Sequence, residues 1–284
     1  MNKMRHLLFI LLAALVASCS NDIEQQVSYD EQNFVEFSAH FNNDTRASDT
    51  SFEYGDAISV FAIDAQTSDI LNDYGNYAEN VKYKYNGSEF KADGNGITIG
   101  SSNTHGLAYY AVYPYVSNAS NSFYFSAKSA QDTHANYTAS DLCTAYQSAT
   151  NDQHVDLEFS HKMCKVVVEV TGDNIASKNI SVKLNNFYIE ALVDLNSDLC
   201  TAIDELAAVT PYKSSSTEFK AIVAPQKRYP GESAMTIQIN GSSYNLLLAK
   251  EIDFVSGYEK RFVIQIANGR ITERYGKLQT YYLY

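Results

Sequence analysis

From Asn33 onward the chain alternates apolar and polar residues, and this pattern limits its fold more than any other feature. Val35, Phe37, Ala39 and Phe41 fall on one face and Glu36, Ser38 and His40 on the other, the period of a strand buried on one side. A polar loop of Asn, Asp, Thr, Arg and Ser over residues 42–51 follows, then an apolar segment from Ala57 to Ile63 opened by the Gly55-Asp56 turn. Further strands read at Val81 to Tyr85, Ser88 to Lys91, Leu107 to Tyr113, Ser122 to Ser126 and His154 to Phe159. The series continues at Lys165 to Val170, Ile180 to Tyr188, Ala191 to Leu195, Glu218 to Val223, Met235 to Ile239, Ser243 to Leu248 and Arg261 to Ala267. Asn86-Gly87 and Asn240-Gly241 are hairpin turns, because tight hairpins need left-handed backbone that Asn and Gly tolerate. Only Ser140 to Ser148 reads as helical, and no internal repeat is visible. Dense short strands rich in Tyr, Phe, Val and Ile imply an all-β chain of sandwiches or barrels rather than an alternating βα fold.

The first eighteen residues are an export address rather than part of the fold. Lys3 and Arg5 give a basic start, Leu7 to Val16 an apolar run too short to span a bilayer as a mature helix, and Val16-Ala17-Ser18 a small-residue approach to cleavage. Cys19 directly after them resembles the lipobox of bacterial lipoproteins, which makes Cys19 the expected lipidated first residue of the mature chain. Several acyl chains, each worth about 0.8 kcal/mol per buried methylene, would hold it at a membrane where one chain holds only marginally. Residues 19–32 are polar and acidic without a period, as a tether would be. The roughly 265 residues left after processing suffice for two domains, each with its own core, with residues 33–161 in the first and 162–284 in the second.

Charge and cysteine usage narrow the partners. The formal net charge of -12 becomes -14 when Lys3 and Arg5 leave, which argues against nucleic acid and against electrostatic adhesion to anionic lipid. Cys143, Cys164 and Cys200 are odd in number and lack metal-type spacing, so at most one pair can form and buried free thiols are expected.

Residues that would carry chemistry are sparse. His40, His105, His134, His154 and His161 show no zinc-protease spacing, and there is no nucleophile elbow, phosphate-cradling loop or Cys–His arrangement with a plausible neighbour. Asp93-Gly94-Asn95-Gly96 offers oxygen ligands in a turn but lacks the later Glu of a calcium loop, and reads as a plain turn. No catalytic residue, metal site or cofactor is therefore expected. Tyrosine is the compositional outlier with 22 residues, clustered at Tyr83/Tyr85, at Tyr109-Tyr110 with Tyr113/Tyr115, and at Tyr281-Tyr282 with Tyr284. Such rings can stack on sugars, yet they are also favoured strand residues, and the absence of Trp slightly lowers a glycan reading.

Taken in order, Val35-Glu36-Phe37-Ser38-Ala39, Thr45-Arg46-Ala47 and Phe52-Glu53-Tyr54-Gly55-Asp56-Ala57-Ile58-Ser59-Val60-Phe61-Ala62 resemble the fimbrillin-like family of Bacteroidales lipoprotein pilins. The likeness continues through Val81 to Gly87, Tyr110 to Tyr115, Asp141-Leu142 with Ala145, Leu157 to Val166, Phe219 to Gln226 and Ile237 to Tyr244. Departures lie near the end, where Ser256-Gly257-Tyr258-Glu259-Lys260 and Gln279-Thr280-Tyr281-Tyr282-Leu283-Tyr284 replace the family's usual Gly-Lys and Asp-Trp.

This resemblance implies two tandem transthyretin-like β-sandwich domains, a non-enzymatic role, and assembly into a surface pilus with other subunits by strand exchange. On that reading a cut at Arg46-Ala47 would release the first strand, residues 33–41, together with Cys19 and its lipid. Loss of Val35, Phe37, Ala39 and Phe41 would leave an apolar groove edged by unpaired backbone, which a strand from another subunit can fill. The candidate donor is 277–284, in which Leu278, Thr280, Tyr282 and Tyr284 share a face. The alternatives are a tip or accessory adhesin, or surface lipoprotein, gripping glycan or host protein through Tyr-rich loops such as Val116 to Ser122, an uncut outer-membrane base subunit held by lipid on Cys19, and, least expected, a hydrolase.

Overall fold

The computed structural model describes residues 34–42, 51–203 and 206–267, and the backbone of 270–273 and 280–282. Strands dominate throughout. The first eight are β1 (Glu36–Phe41), β2 (Ala57–Asp64), β3 (Ala78–Tyr85), β4 (Phe90–Ala92), β5 (Leu107–Tyr113), β6 (Ser122–Ser126), β7 (Cys143–Thr150) and β8 (His154–His161). Seven of them close on themselves in the order β1-β4-β3-β2-β5-β7-β8, and the ring is sealed by parallel pairing of β1 with β8.

The second half supplies β9 (Cys164–Gly172), β10 (Ile180–Tyr188), β11 (Glu190–Asp194), β12 (Leu199–Ala202), β13 (Leu206–Val209), β14 (Tyr212–Lys213) and β15 (Glu218–Val223). It ends with β16 (Gln226–Arg228), β17 (Ser233–Ile239), β18 (Ser242–Leu247), β19 (Ile252–Phe254), β20 (Tyr258–Ala267), β21 (Arg270–Glu273) and β22 (Thr280–Tyr282). These build one sheet ordered β13-β10-β17-β18 and a second ordered β14-β15-β9-β20-β21, with β22 also pairing β20. A short β16-β19 pair accompanies them. Strand β6 lies before His161 in sequence but pairs with β11, in a sheet ordered β12-β11-β6.

Two apolar interiors result, and β2 and β5 face both. Ile58, Val60 and Ala62 with Leu107, Tyr109 and Ala111 point into the closed ring. The intervening Phe61, Ile63, Ala108, Tyr110 and Val112 join the second core, with Val166, Val168, Leu184, Phe187, Met235, Phe254 and Phe262. That is why these two segments read as continuous apolar runs while β1, β6 and β8 alternate: burial on both faces removes the polar half of the period.

Turn chemistry behaves as the sequence implies. Asn240 and Gly241 both adopt left-handed backbone (φ 47° and 87°) between β17 and β18. Asn86 caps its turn by accepting the N–H groups of Ser88 and Glu89 on its side-chain oxygen, beside Gly87 at φ 100°. The helical expectation at Ser140 to Ser148 is corrected: Cys143–Thr150 is strand β7, paired with β5. The short helix instead spans His134–Thr138, where the Thr133 hydroxyl accepts the Asn136 N–H as an N-cap. Pairing along β5 outweighs the weak local preference of Cys-Thr-Ala-Tyr-Gln-Ser-Ala-Thr.

Candidate functional site

The first strand occupies a seat made by the rest of the ring. Six consecutive residues of β1 run parallel to β8, from Glu36 opposite His154 to Phe41 opposite Phe159. On its other side β1 meets β4 at a single pair, Phe37 with Phe90. The Val35 N–H donates to Ile97 O, Glu36 N–H to Gln153 O and Asn42 N–H to Phe159 O. The inward residues lie where alternation places them: Val35, Phe37 and Phe41 are buried and Ala39 is half-buried.

Each inward ring has its own surroundings. Phe37 meets Tyr83 and Tyr109 edge-on, with centroids 4.9 and 5.3 Å away. Phe41 lies nearly parallel to Phe52 at 4.6 Å and to the His161 imidazole at 5.2 Å. Outward, Glu36 accepts from Lys91 Nζ at 2.8 Å, which holds its carboxyl below the usual range, and the Ser38 hydroxyl donates to Asp156.

His161 belongs to a buried cluster that the sequence reading did not anticipate. Its Nδ1 lies 3.0 Å from the Asp141 carboxylate and 3.3 Å from Cys143 Sγ. Burial works against the charged imidazole, but the Asp141 carboxylate and Cys143 carry its pKa well above the ordinary value. Burial also pushes the Cys143 thiol up, against the opposing pull of the His161 imidazole. The earlier expectation of no such arrangement is thus corrected in geometry. The β7–β8 pairing sets Cys143 opposite His161, and no sequence spacing marks a contact made across a hairpin.

Three buried side-chain polar atoms among the described residues lack a hydrogen-bond partner, and two of them, Tyr109 Oη and His161 Nε2, sit on rings that touch β1. Native interiors satisfy nearly all such groups, so these two atoms stand out beside the seat. Tyr83 contrasts with them, since its hydroxyl accepts the Ile97 N–H, while burial pushes its pKa up to about 12.

Other groups singled out in the sequence fall as follows. Asp93 lies beside Lys84 Nζ at 2.9 Å and Lys82 Nζ at 3.6 Å, so the Asp93-Gly94 turn already holds cations of its own chain. Glu36 and Glu89 gather near His154, but Lys91 bridges the two carboxylates. Cys143, Cys164 and Cys200 are free thiols. The Tyr113 hydroxyl donates to Asp56, and the Tyr115 ring lies under Lys82 Nζ. Tyr54 and Tyr74 are the tyrosines turned most fully outward among the described residues. Thr280–Tyr282 pairs antiparallel with Tyr258–Lys260 of β20. Cys19, Arg46, Ala47, Leu278 and Tyr284 lie outside the described residues.

A closed ring of strands and several further sheets, with helix confined to short turns among the described residues, define an all-β protein. The chain belongs to the fimbrillin-like family, whose model matches residues 45–277. No curated protein matches it by sequence. Among solved structures it is similar to a candidate cell adhesion protein from Bacteroides ovatus, at 18% identity and TM-score 0.69, covering 88% of this chain and 98% of that one. A candidate cell adhesion protein from Bacteroides uniformis matches at 18% identity and TM-score 0.62, covering 84% and 95% of the two chains. A fimbrial protein from Bacteroides vulgatus matches at 13% identity and TM-score 0.53, covering 88% and 99%.

Proposed function

We propose that this chain is a structural subunit of a cell-surface fimbria, exported as a lipoprotein on Cys19 and polymerised by protease-triggered strand exchange. The observation that carries the reading is the seat of β1. One strand, ahead of Arg46 in sequence, fills the interior of the ring with Val35, Phe37 and Phe41, and its partner β4 holds it by one pair. A cut between Arg46 and Ala47 removes the covalent link, leaving that strand held to the ring only by its ladders with β8 and β4 and by side-chain packing. Its departure opens a groove with unpaired backbone along β8, and a strand from another subunit, with 277–284 as the candidate, closes it again. Two tandem transthyretin-like sandwiches dividing near His161 complete the reading, with β6 reaching across to β11.

The test is to treat full-length mature protein with an Arg-specific protease, sequence the new N-terminus, and run unboiled samples on a denaturing gel. A start at Ala47 with a ladder of detergent-resistant multimers is expected. A clean cut without a ladder assigns the chain to a tip or accessory position, and resistance to the protease assigns it to a lipid-held base.

A second reading, an adhesin for glycan or host protein, draws support from the names of the similar structures and from a polar cleft of about 190 Å³. Asp64, Asn72, Asn76 and Tyr77 line that cleft next to the outward Tyr74. Glycan-array binding that disappears in Tyr74→Ala would favour it.

A further inference from the structure

We infer that the seat of β1 ends in a slot for one flat ring, and that the strand replacing β1 fills this slot with Tyr282 of a second copy of this chain. The inference rests on the strand-exchange reading above and specifies its register.

The slot is built from groups that remain after a cut at Arg46. Phe41 stacks against Phe52 with planes 25° apart and against His161 with planes 14° apart, and both partners follow Arg46 in sequence. Neither wall depends on β1 alone for its position. Phe52 also meets Phe90, Tyr113 and Phe159 edge-on, with centroids 5.0, 5.2 and 5.6 Å away. His161 is fixed through Nδ1 by Asp141 and Cys143. Two near-parallel rings held in this way accept a planar side chain and exclude a branched one, because interiors are packed too densely to reshape around it.

The rest of the seat sets the register. Reading along β1, the ring interior holds a large apolar residue at Phe37, a small half-buried one at Ala39 and an aromatic at Phe41. Leu278, Thr280 and Tyr282 repeat large, small and aromatic at the same spacing of two. Sliding the tail by two residues would put Thr280 in the large Tyr83/Tyr109 box and Tyr282 in the small Ala39 place, a mismatch at both. Tyr282 also brings a hydroxyl that Phe41 lacks, to a seat in which His161 Nε2 has no hydrogen-bond partner among the described residues. In the isolated chain Thr280–Tyr282 pairs with β20, so donation takes this segment off its own sheet.

The experiment uses full-length mature protein cut by an Arg-specific protease and fluorescently labelled peptides of sequence 276–284, with anisotropy as the readout. The wild-type peptide is expected to bind the cut protein and to ignore the uncut one. Tyr282→Phe should keep affinity within about threefold, whereas Tyr282→Leu should lose on the order of tenfold, the worth of two ring contacts. Tyr284→Leu should change little. On cut protein carrying Phe52→Leu, the preference for an aromatic at 282 should shrink toward unity.

If Leu at 282 binds as well as Tyr, or if position 284 carries the preference, the slot is overturned while strand exchange stands. If the cut protein keeps β1 or binds no strand peptide, strand exchange fails and the slot falls with it.

Discussion

Replacing Phe37 by Ala should weaken the intact chain severely and leave the assembled polymer untouched. Phe37 is fully buried and makes edge-on contacts with two rings, Tyr83 and Tyr109, that are buried themselves. Truncating such a side chain costs about 3–5 kcal/mol, part of it lost transfer energy and part the cavity left behind. The two ring contacts account for about 0.5–1.5 kcal/mol each within that figure. Tyr83 is pinned by the Ile97 N–H and cannot swing in to fill the space, which places the expected loss in the upper half of the range. Urea denaturation of the uncut chain would read this as a lower midpoint at unchanged slope. On the strand-exchange proposal Phe37 leaves with its strand, so cut and polymerised Phe37→Ala protein should match wild type in detergent resistance. A loss under about 1 kcal/mol in the intact chain would refute the packing argument. An equally weakened polymer would show that β1 never leaves.

Three further outcomes can be checked directly. His161 has a folded pKa raised above its unfolded value of about 6.5, so its contribution is fully present below that value and is lost as pH rises toward the folded one. Stability should therefore decline from near-neutral into alkaline pH, and His161→Gln should flatten the first part of that decline, as followed by thermal melts across pH. Burial raises the thiols of Cys143 and Cys164 and pushes Cys200 up to about 12, so thiol reagents should act slowly on native protein. Cys200, the least buried, should react first, and the other two should follow only in denaturant.

Arg261 donates to Glu259 and Glu218, with Glu169 at 3.5 Å, so Arg261→Met leaves three neighbouring carboxylates without their shared cation. A loss of about 2 kcal/mol at neutral pH is expected for this partly exposed network. The loss should shrink in acid, because burial works against ionised Glu218 while Ser214 and Arg261 hold its carboxyl below the usual range. That contribution exists above the ordinary Glu value and fades as pH falls.

The strands most legible in the sequence were those with a clear period or a strong turn. Leu107–Tyr113, Ser122–Ser126, Ile180–Tyr188 and Glu218–Val223 have the expected bounds. Strands β12, β13, β14, β16 and β19 were not foreseen. Each is only two to four residues long, too short for a period of two to register, and each exists because a neighbour offers it a ladder. Strand β7 was misread as helix, whereas the helix that forms lies just before it and is capped by Thr133. The inward face of β1 was legible from its own alternation. What lies against it was not: Phe37 meets Tyr109 and Phe41 meets His161, contacts far apart in sequence that only the closure of the ring creates.

The six-residue parallel ladder between β1 and β8 has a mechanical consequence for whatever strand occupies the seat. Tension along the strand axis loads all its rungs together in shear, so none can part before its neighbours, whereas a pull across the axis opens them one at a time. A filament in which tension runs along the seated strand would thus resist tearing far better than its equilibrium stability suggests, because forced rupture is governed by the unfolding rate. Single-molecule stretching should find much higher rupture forces along that axis than across it, and equal forces in the two directions would contradict this geometry.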